Sequence, residues 1–580
     1  MNAMKAKCVL PLNINPFDDF VKPYLSKQKT LKCSKRDELT YVDYEKGILK
    51  LSEVVKNKYS CFYSWIHRGS NDQSILHTTP IRIPKSGIKF STKNYVANVS
   101  CYKNVANGSK IHIYKNTHLW IPDFSITNAN GPSVFILVIE SLSYNSFIRF
   151  MNKTNEAMKK LKHFSILRGL TKVASNSFPN SMALIAGKAV EGRTSRAMND
   201  YWDKKLDYIW DKFKAKGYVT GFVEDFVKIG LFDYQRKGFK SAPTDFFPRP
   251  FWLQMFLKGW NLYDSMLNVK QYCFDDHGPR VEIFLNHLLQ FVKKMQLRKQ
   301  SYFMYAFYSQ MTHEDFNNFR LVDSFVADFF LKMASHLSDT VLIFMGDHGP
   351  RFGPMTDTPL GYLESRLPMF AIRVPENLHE KFPHLRKVLQ LNEKRLLSYF
   401  DINKLLIDTA MGDFSYIKTP NLTSINPWRQ IVPPQRTCKD ARIPKVFCVC
   451  NGIVGRHTDI GWHHTHAEKA LIKQVNSWLS GDCSPLQPHK ITFLEQIMPR
   501  KNESLSLVER LNISVSVKNS NLKITAMMKR TAKNLKSPWN KWSIDSEFTN
   551  VFQLKSKVIN EFCTPKNTKN GNDKRGTKNN

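Results

Sequence analysis

The apolar run Val134-Phe-Ile-Leu-Val-Ile139, which ends directly in Glu140, constrains the fold more than any other stretch. An apolar run bounded by a Ser-Leu-Ser turn is typical of a central parallel strand, although a buried helix segment also fits the pattern. In open α/β sheets, ligands bind at the carboxyl ends of such strands. Glu140 is therefore either a functional group or a residue just past the core, and the run alone leaves both interpretations open.

The sequence around this run alternates apolar segments with longer amphipathic ones, which predicts a mostly parallel α/β sheet flanked by helices over residues 126–415. The predicted strands are 134–140, 217–224, 302–308, 340–345 and 368–373, and the predicted helices are 147–162, 204–215, 281–296, 316–337 and 391–410. These boundaries define the expected core of the molecule.

Three further regions surround the predicted core. Residues 1–125 contain cysteines and short β-like runs, which indicates a disulfide-bearing, β-rich N-terminal region. Residues 416–563 contain cysteines and histidines, with a predicted helix at 467–479 and a β-like region at 491–528, and we expect this part to pack on the core. Residues 564–580 are polar and basic, which predicts a disordered tail.

The formal net charge is +36, from 85 Lys and Arg residues against 49 Asp and Glu residues. Such an excess favours anionic partners. The chain has no zinc-finger spacing, RNA-recognition signature or basic-region heptad, so we expect no sequence-specific nucleic-acid binding. No apolar run approaches the ~18 residues of a membrane span. An anionic small molecule, a glycan or a lipid headgroup is therefore the expected partner, and the sequence does not indicate an oligomeric state.

Cysteines and glycosylation motifs indicate the compartment. The chain has ten cysteines, and six Asn-x-Ser/Thr sequons begin at Asn98, Asn107, Asn152, Asn421, Asn502 and Asn512. Together they favour a secreted or lumenal glycoprotein with disulfides. No signal peptide is visible at the start, so we expect an incomplete N-terminus. The alternative is a cytosolic protein with reduced cysteines.

Two further motifs accompany the strand that ends in Glu140. Asn176-Ser-Phe-Pro-Asn180 opens a predicted helix and places the Ser177 hydroxyl near free backbone N–H groups. Asp347 and His348 lie between two glycines after the predicted strand 340–345. Alone, Ser177 fits a helix cap and Asp-His-Gly fits a turn. Together the motifs favour a divalent-metal site built from separate strand ends.

This order of motifs resembles the alkaline phosphatase and sulfatase superfamily, and Ser177-Phe-Pro-Asn180 is similar to the Thr-Phe-Pro-Asn motif of its nucleotide pyrophosphatase branch. More closely, the chain resembles the animal extracellular family called domain of unknown function 229. The shared motifs are Asn176-Ser-Phe-Pro-Asn180, Gly217-Tyr-Val-Thr220, Glu224-Asp225, Lys237-Gly-Phe-Lys240, Pro243-Thr-Asp245, Thr312-His-Glu-Asp315, Leu342-Ile-Phe-Met-Gly-Asp-His-Gly-Pro-Arg-Phe-Gly353 and Gly361-Tyr-Leu-Glu-Ser-Arg-Leu-Pro368.

The resemblance implies an alkaline phosphatase-like fold and a metal-dependent hydrolase or transferase. Ser177 would be the nucleophile towards a phosphate, phosphodiester or sulfate ester, and Asn180 would contact a non-bridging substrate oxygen. Glu140, Ser177, Asp347 and His348 would bind the metal. The superfamily usually has Asp where this chain has Glu140. The lipoteichoic acid synthase branch, which this arrangement resembles, also has Glu there with a single manganese. We therefore expect one divalent ion, Mn, Zn or Ca.

Other polar residues extend the candidate site. His313 is an additional candidate for a second metal site or for substrate binding, and Asp315 is a further candidate beside it for the second metal site. Arg351 could clamp an anionic substrate, whereas Arg366 is expected to be structural.

The histidine-rich run His457, His463, His464 and His466 fits either a second metal site or a solvated helix start, and the latter is favoured. The rival to the enzyme hypothesis is an inactive extracellular protein that binds acidic glycans or lipids through its basic surface.

Overall fold

The computed structural model describes residues 7–558 apart from a set of gaps. The gaps are 27–29, 56–57, 106–108, 126–128, 191–200, 204–205, 228, 257–271, 275, 420, 451–452, 457–463, 480–482, 498–507, 519–522, 533–539, 547–548, 550, 552–553 and 556–557. The predicted tail 564–580 lies outside the described residues.

The chain forms two compact units. The first comprises Met1–Thr356 and Leu363–Asn451, and the second comprises Asp357–Tyr362 and Gly452–Asn580. The boundaries predicted from the sequence at residues 125 and 415 both fall inside the first unit, and the separate regions that they delimit stay a prediction.

The N-terminal part of the first unit consists of short antiparallel strands. These are β1 (Thr40–Asp43), β2 (Ile48–Leu51), β3 (Ser60–Arg68), β4 (Ile75–His77), β5 (Ile81–Arg82), β6 (Ile88–Lys89), β7 (Val96–Asn104) and β8 (Lys110–Leu119). One sheet has the order β1-β2-β6, and a second has the order β4-β3-β7-β8, with β5 paired to β3. This part is thus rich in β-structure, as the sequence predicts.

The strands of the core belong mainly to one six-stranded sheet. They are β9 (Ser133–Ile139), β10 (Phe164–Ile166), β11 (Leu170–Thr171), β12 (Val219–Glu224), β13 (Tyr302–Tyr308), β14 (Thr340–Met345), β15 (Phe370–Arg373) and β16 (Leu397–Ser398). The sheet has the order β10-β15-β14-β9-β13-β12, and β11 pairs with β16 in a small parallel ladder. Strands β12, β13, β9 and β14 are parallel, and β15 is antiparallel to β14. The mostly parallel α/β sheet predicted from the sequence is therefore confirmed.

Burial on both faces explains the unbroken apolar run of β9. Every residue from Ser133 to Ile139 is buried. Val134, Ile136 and Val138 belong to one core cluster that also contains Met182 of the helix Ser177–Ile185. A strand covered on both faces needs no alternation of polar and apolar residues, because neither face meets water.

The helices confirm the predicted alternation, with shifted ends. Those before residue 412 are Tyr144–Phe150, Asn152–Leu161, Ser177–Ile185, Ile209–Ala215, Arg249–Phe256, Arg280–Leu297, Phe319–Met333, Pro359–Arg366, Glu376–Lys381, His384–Asn392 and Tyr399–Met411. Short 3-10 turns occur at Asp19–Tyr24, Glu53–Val55, Phe316–Asn318, Ala334–His336, Pro354–Asp357 and Lys445–Phe447. The predicted helix 147–162 is two helices that meet at Met151, and the predicted helix 391–410 starts only after a capping box at Ser398.

The second unit contains the helix His464–Asn476 and a five-stranded antiparallel sheet. Its strands are β17 (Ile453–Arg456), β18 (Pro488–Ile497), β19 (Val508–Val517), β20 (Lys523–Thr531) and β21 (Ser543–Ile544). Leu471 and Val475 of the helix pack with Ile513 and Val515 of β19. None of the helices in the described part of the chain combines the length and the apolar character that a membrane crossing requires.

Disulfides join distant parts of the first unit. Cys8 is bonded to Cys450, Cys33 to Cys273, Cys61 to Cys101 and Cys438 to Cys448. In the second unit, Cys483 is also disulfide-bonded. The Cys8–Cys450 and Cys33–Cys273 bonds join cysteines that are 442 and 240 positions apart, and closing such long loops restricts the unfolded chain. Disulfides persist in oxidising compartments, which agrees with the compartment expected from the sequence.

Candidate metal centre and catalytic site

Glu140 and Asp347 lie at the carboxyl ends of neighbouring parallel strands. Val138 of β9 is in register with Met345 of β14, so both strands end at the same edge of the sheet. Glu140 follows β9 and is 4% exposed, and Asp347 is 2% exposed. The sheet register thus brings together two acids that are far apart in the sequence.

The glycines around Asp347 and His348 permit close backbone packing. A Cβ atom at Gly346 would lie 2.1 Å from the carbonyl oxygen of Leu142, and one at Gly349 would lie 1.7 Å from that of Glu364. Both positions therefore exclude any larger residue. The two glycines of the Gly-Asp-His-Gly sequence thus allow the close packing of the loop that carries the candidate ligands Asp347 and His348.

Ser141 holds Asp347 through its backbone. This non-glycine residue has a φ of +66° and donates its N–H to Asp347 Oδ1 at 3.0 Å. Its hydroxyl is buried and has no hydrogen-bond partner among the described residues. Left-handed backbone at a buried non-glycine residue persists only where surrounding structure enforces it, and it is common at functional sites.

Ser177 begins the helix Ser177–Ile185 and contacts two of these residues. Its Oγ donates to Glu140 Oε1 at 2.6 Å and lies 3.2 Å from His348 Nε2. The hydroxyl is therefore held at the positive end of a helix dipole, beside a carboxylate. The strand ends and the Ser-x-Pro-Asn motif in the sequence predict that Ser177 lies close to Glu140 and His348, as observed.

The Asn180 side chain is fully occupied by backbone groups. Its Oδ1 accepts from the N–H groups of Val173 and Ala174 at 3.0 and 2.9 Å, and its Nδ2 donates to the carbonyls of Ala174 and Asn176 at 3.1 Å each. Asn180 thus fixes the turn before Ser177. Its predicted contact with a substrate oxygen stays a prediction, and the geometry favours a positioning role.

His348 and Asp347 place two acceptor atoms side by side. His348 Nδ1 donates to the Gly349 carbonyl at 2.8 Å, so the neutral ring has a lone pair on Nε2. This Nε2 lies 3.1 Å from Asp347 Oδ2, a buried oxygen with no hydrogen-bond donor among the described residues. Burial lowers the pKa of His348 well below its usual value, and Arg351 lowers it further. Burial, and then the Glu140 charge, raises the pKa of Asp347 to about 7.

These groups have the donor set of a divalent-metal site. Ligand atoms of Glu140, Asp347 and His348 lie within 4.8 Å of one another, and the Ser177 hydroxyl contacts two of the three residues. Carboxylate and hydroxyl oxygens together with one imidazole suit Mn²⁺ or Zn²⁺. A cation would also relieve the repulsion between the acceptor atoms.

His313 lies next to this cluster and has partners of its own. Its Nε2 is 3.6 Å from Glu140 Oε1 and 3.2 Å from a terminal nitrogen of Arg351, and its Nδ1 donates to Glu314 at 2.5 Å. Burial lowers the pKa of His313, but the charge of Glu140 and the hydrogen bond to Glu314 outweigh burial, so the pKa is raised.

A cavity of about 320 Å³ opens onto the cluster. Its lining residues are Glu140, Asn176, Ser177, Phe178, Ile229, Gly230, Leu231, Tyr234, Gln235, Arg236, His313, Glu314, Arg351 and Phe352. Asn176 Oδ1 and Arg351 Nε are buried without a hydrogen-bond partner among the described residues. The cavity thus offers an acceptor, a donor and an apolar wall to a ligand at Ser177.

Other sequence candidates lie elsewhere. Arg366 donates to the carbonyl of Val446 and is not part of the cavity, and Asp315 caps the turn Phe316–Asn318. Of the histidine-rich run, His457 and His463 lie outside the described residues, and His466 is exposed near the start of its helix. Cys438, Cys448 and Cys450 lie close together but are all in disulfides.

Most residues that line the cavity were not predicted from the sequence. Tyr234 and Arg236 lie in a segment without a recognisable motif, and Asn176 precedes the motif serine. Phe352 directly follows Arg351 in the Asp-His-Gly-Pro-Arg-Phe sequence, so its closeness in the sequence to the candidate metal ligands Asp347 and His348 is a signal that could have identified it.

The fold and this cluster define an α/β protein with a candidate metal centre at the carboxyl edge of its sheet. The chain belongs to the family described as "Protein of unknown function (DUF229)", whose family model matches residues 26–492. The family expected from the sequence is therefore confirmed. A comparison with curated proteins finds no match.

Several solved structures are similar to parts of this chain. The lipoteichoic acid synthase LtaP from Listeria monocytogenes is 13% identical with a TM-score of 0.29, over 43% of this chain and 66% of that one. A protein in the alkaline phosphatase superfamily from Vibrio parahaemolyticus is 11% identical with a TM-score of 0.32, over 75% and 89%. The C-terminal periplasmic domain of EcEptC from Escherichia coli, in complex with Zn, is 12% identical with a TM-score of 0.32, over 54% and 96%.

Proposed function

We propose that this protein is a secreted, metal-dependent hydrolase or transferase that acts on a phosphate, phosphodiester or sulfate ester through Ser177. The observation that carries the proposal is the group of acceptor atoms from Glu140, Asp347 and His348 around one serine hydroxyl. Buried acceptors without matching donors are costly, and proteins retain them where an ion or a substrate supplies the missing partner.

Glu140, Asp347, His348 and the Ser177 hydroxyl would hold one divalent ion, of which Mn²⁺ and Zn²⁺ fit the donors best. When bound, such an ion lowers the pKa of a coordinated hydroxyl and offsets negative charge in the transition state. His348 is held in the required tautomer by its Nδ1–H bond to the Gly349 carbonyl, and Asp347 is oriented by the Ser141 N–H.

Ser177 Oγ would form a bond to the phosphorus or sulfur atom while the bond to the leaving alcohol breaks. Its hydroxyl proton is already directed at Glu140 Oε1, which is 2.6 Å away. Glu140 accepts the Ser177 proton and passes it to the leaving alcohol as the ester bond breaks. Water or an acceptor alcohol then displaces Ser177 from the covalent intermediate, and the proton that it loses returns to Ser177 Oγ. Asn180 fixes the turn before Ser177, so the oxygen stays aimed at the substrate.

The cavity supplies charge for an anionic substrate. Arg351 lines it and can offer the Nε–H that has no partner among the described residues. Guanidinium groups bind phosphate and sulfate oxygens with paired N–H bonds. His313 lies beside Arg351 on the same side as Glu140 and lines this part of the cavity.

Secretion and glycosylation belong to the same proposal. Asn152 and Asn421, which begin two of the sequons, are exposed and accessible to a glycan. Treatment of the chain from a secretory host with a glycosidase is expected to lower its mass. An unchanged mass would favour the cytosolic alternative.

The test compares wild type with Ser177→Ala after saturation with Mn²⁺ or Zn²⁺. We expect wild type to release nitrophenol from 4-nitrophenyl phosphate, bis(4-nitrophenyl) phosphate or 4-nitrophenyl sulfate, and Ser177→Ala to release none. Ser335→Ala, at an exposed serine away from the cavity, is the matched control. A folded wild type without turnover that still binds sulfated polysaccharide would favour the inactive binding protein.

A further inference from the structure

One wall of the cavity next to Ser177 comes from a single irregular segment, residues 229–236, which we call the cavity wall. Ile229, Gly230, Leu231, Tyr234 and Arg236 all line the cavity. No described residue of this segment belongs to a helix or strand. Its position therefore depends on contacts with other parts of the chain rather than on a backbone ladder.

Contacts with this wall and with the residues that directly follow it come from the tip of the β3–β4 hairpin, residues 69–74, in the N-terminal part of the unit. Gln73 Nε2 donates to Asp233 Oδ1 at 2.9 Å, directly within the wall. Asp72 Oδ2 accepts from the Phe239 N–H at 2.7 Å. Arg68, at the base of the tip, donates to the Phe239 carbonyl at 2.6 Å and to the Lys240 carbonyl at 2.7 Å.

Arg249 joins the hairpin tip to the wall. One terminal nitrogen lies 2.9 Å from Asp233 Oδ2, and Nε donates to the Asp72 carbonyl at 2.6 Å. The Asp72, Asp233 and Arg249 side chains are at most 3% exposed. Separating Arg249 from Asp233 would leave a buried charge without a partner, which costs free energy. These contacts therefore hold the hairpin tip and the cavity wall in one arrangement.

The wall is also tied to the sheet that carries the candidate metal centre. Glu224, the last residue of β12, accepts from the Leu231 N–H at 2.7 Å. The wall is thus fixed at one point to the sheet and at another to the hairpin. The hairpin contacts no metal ligand in these hydrogen bonds, so it acts on the wall and not on the centre.

The cavity side of the wall is suited to the organic part of an ester. Tyr234 is 41% exposed and Phe352, also in the cavity lining, is 39% exposed. Exposed aromatic rings beside a polar reaction centre offer contact area to an apolar or ring-shaped group. The Arg236 guanidinium stacks on the Phe178 ring at 3.8 Å, which continues this surface towards Ser177.

We propose that the hairpin tip 69–74 is a specificity element: through Gln73, Asp72 and Arg249 it positions the cavity wall, which binds the organic group of the ester. This inference rests on the proposed function of Ser177. Gln73, Asp72 and Arg249 are positioning residues, because none of them lines the cavity.

The experiment measures binding of two ligands that cannot be hydrolysed, methylphosphonate and phenylphosphonate, by calorimetry on the metal-loaded full chain. They have the same acid group and differ only in the organic substituent. We expect Gln73→Ala and Asp72→Asn to weaken phenylphosphonate binding about fivefold, the value of one aromatic contact. Methylphosphonate binding should stay within about twofold.

Asp43→Asn is the matched control, because it breaks the ion pair of Asp43 with Lys50 at 2.7 Å in the same N-terminal part without touching the wall. Gln73 is exposed, so Gln73→Ala keeps the test valid if Asp72→Asn does not fold. Equal weakening of both ligands, or no weakening of either, would overturn the specificity role while the proposed function stands. A wild type that binds neither ligand would overturn both.

Discussion

Two buried groups of acids lie at the same edge of the central sheet, and they differ in what balances their charge. The first, the strand-end centre, comprises Glu140, Asp347 and His348 around Ser177. The second, the arginine-paired cluster, comprises Asp72, Glu224 and Asp233 with Arg68 and Arg249.

In the arginine-paired cluster every acid has a donor from the chain itself. Asp72 contacts Arg68 at 2.6 Å, Asp233 contacts Arg249 at 2.9 Å, and Glu224 accepts from the Leu231 N–H at 2.7 Å. In the strand-end centre, Asp347 Oδ2 has no donor among the described residues. Burial of acids is therefore not itself a sign of a metal site. What distinguishes the first group is a buried carboxylate oxygen for which the described residues supply no donor.

The largest expected difference between the two groups is in turnover. Glu140→Ala should lower ester hydrolysis at least about a thousandfold, because it removes both a metal ligand and the hydrogen-bond partner of Ser177. Glu224→Gln, at the end of β12, which is separated from β9 by β13, should change turnover less than about tenfold. Initial rates with metal in excess measure both. A similar loss in the two variants would remove the distinction.

The next largest effect is on stability. Here the substitution in the arginine-paired cluster should have the larger effect, and the one beside the strand-end centre the smaller. Arg249→Met should lower the free energy of unfolding by about 3–5 kcal/mol, because it leaves buried Asp233 without its cation. Arg351→Met should cost less than about 1 kcal/mol, because that guanidinium faces the cavity. Urea unfolding measures both. Equal costs would show that Arg351 is also a structural partner.

Addition of metal should stabilise the folded protein only when the strand-end centre is intact. At a free concentration of 100 times Kd, an ion that binds the folded state alone adds about 2.7 kcal/mol to the free energy of unfolding. We expect this gain in wild type and in Glu224→Gln, and none in Asp347→Ala. Thermal unfolding with and without Mn²⁺ or Zn²⁺ measures the gain. A gain in Asp347→Ala would place the ion elsewhere.

The smallest effect is a change in the pH dependence of stability. Burial, and then the Asp233 charge, raises the pKa of Glu224 from 4.5 to about 8. The folded state therefore keeps this proton while the unfolded state loses it, so stability falls as pH rises from about 4.5 to 8. Glu224→Gln keeps an acceptor for the Leu231 N–H. It should reduce the slope of the free energy of unfolding against pH by the amount that corresponds to about one bound proton. An unchanged slope in urea titrations would mean that Glu224 is ionised in the folded protein.

The strand-end centre could be predicted because its residues follow strong local signals. An unbroken apolar run identifies a strand buried on both faces, and parallel strands end at one edge, so the positions of Glu140, Asp347 and His348 follow from the order of elements. Their roles as metal ligands stay a prediction until an ion is measured.

The arginine-paired cluster could not be predicted, because it joins residues more than 150 positions apart without a motif. Asp72 and Arg249 meet through tertiary packing between an N-terminal hairpin and a core helix, which no local pattern encodes. Some helix ends differ from their predicted positions because a local capping signal sets them. Ser398-Tyr-Phe-Asp401 is a capping box that starts the helix Tyr399–Met411, eight residues after the predicted start at 391.

Elemental analysis of the purified, metal-supplemented chain determines whether the strand-end centre binds one divalent ion. Wild type and Glu224→Gln should each contain about one divalent ion per chain, whereas Glu140→Ala and Asp347→Ala should contain none and remain folded by circular dichroism. A folded wild type without bound metal, or ions retained equally in all four proteins, would contradict the account.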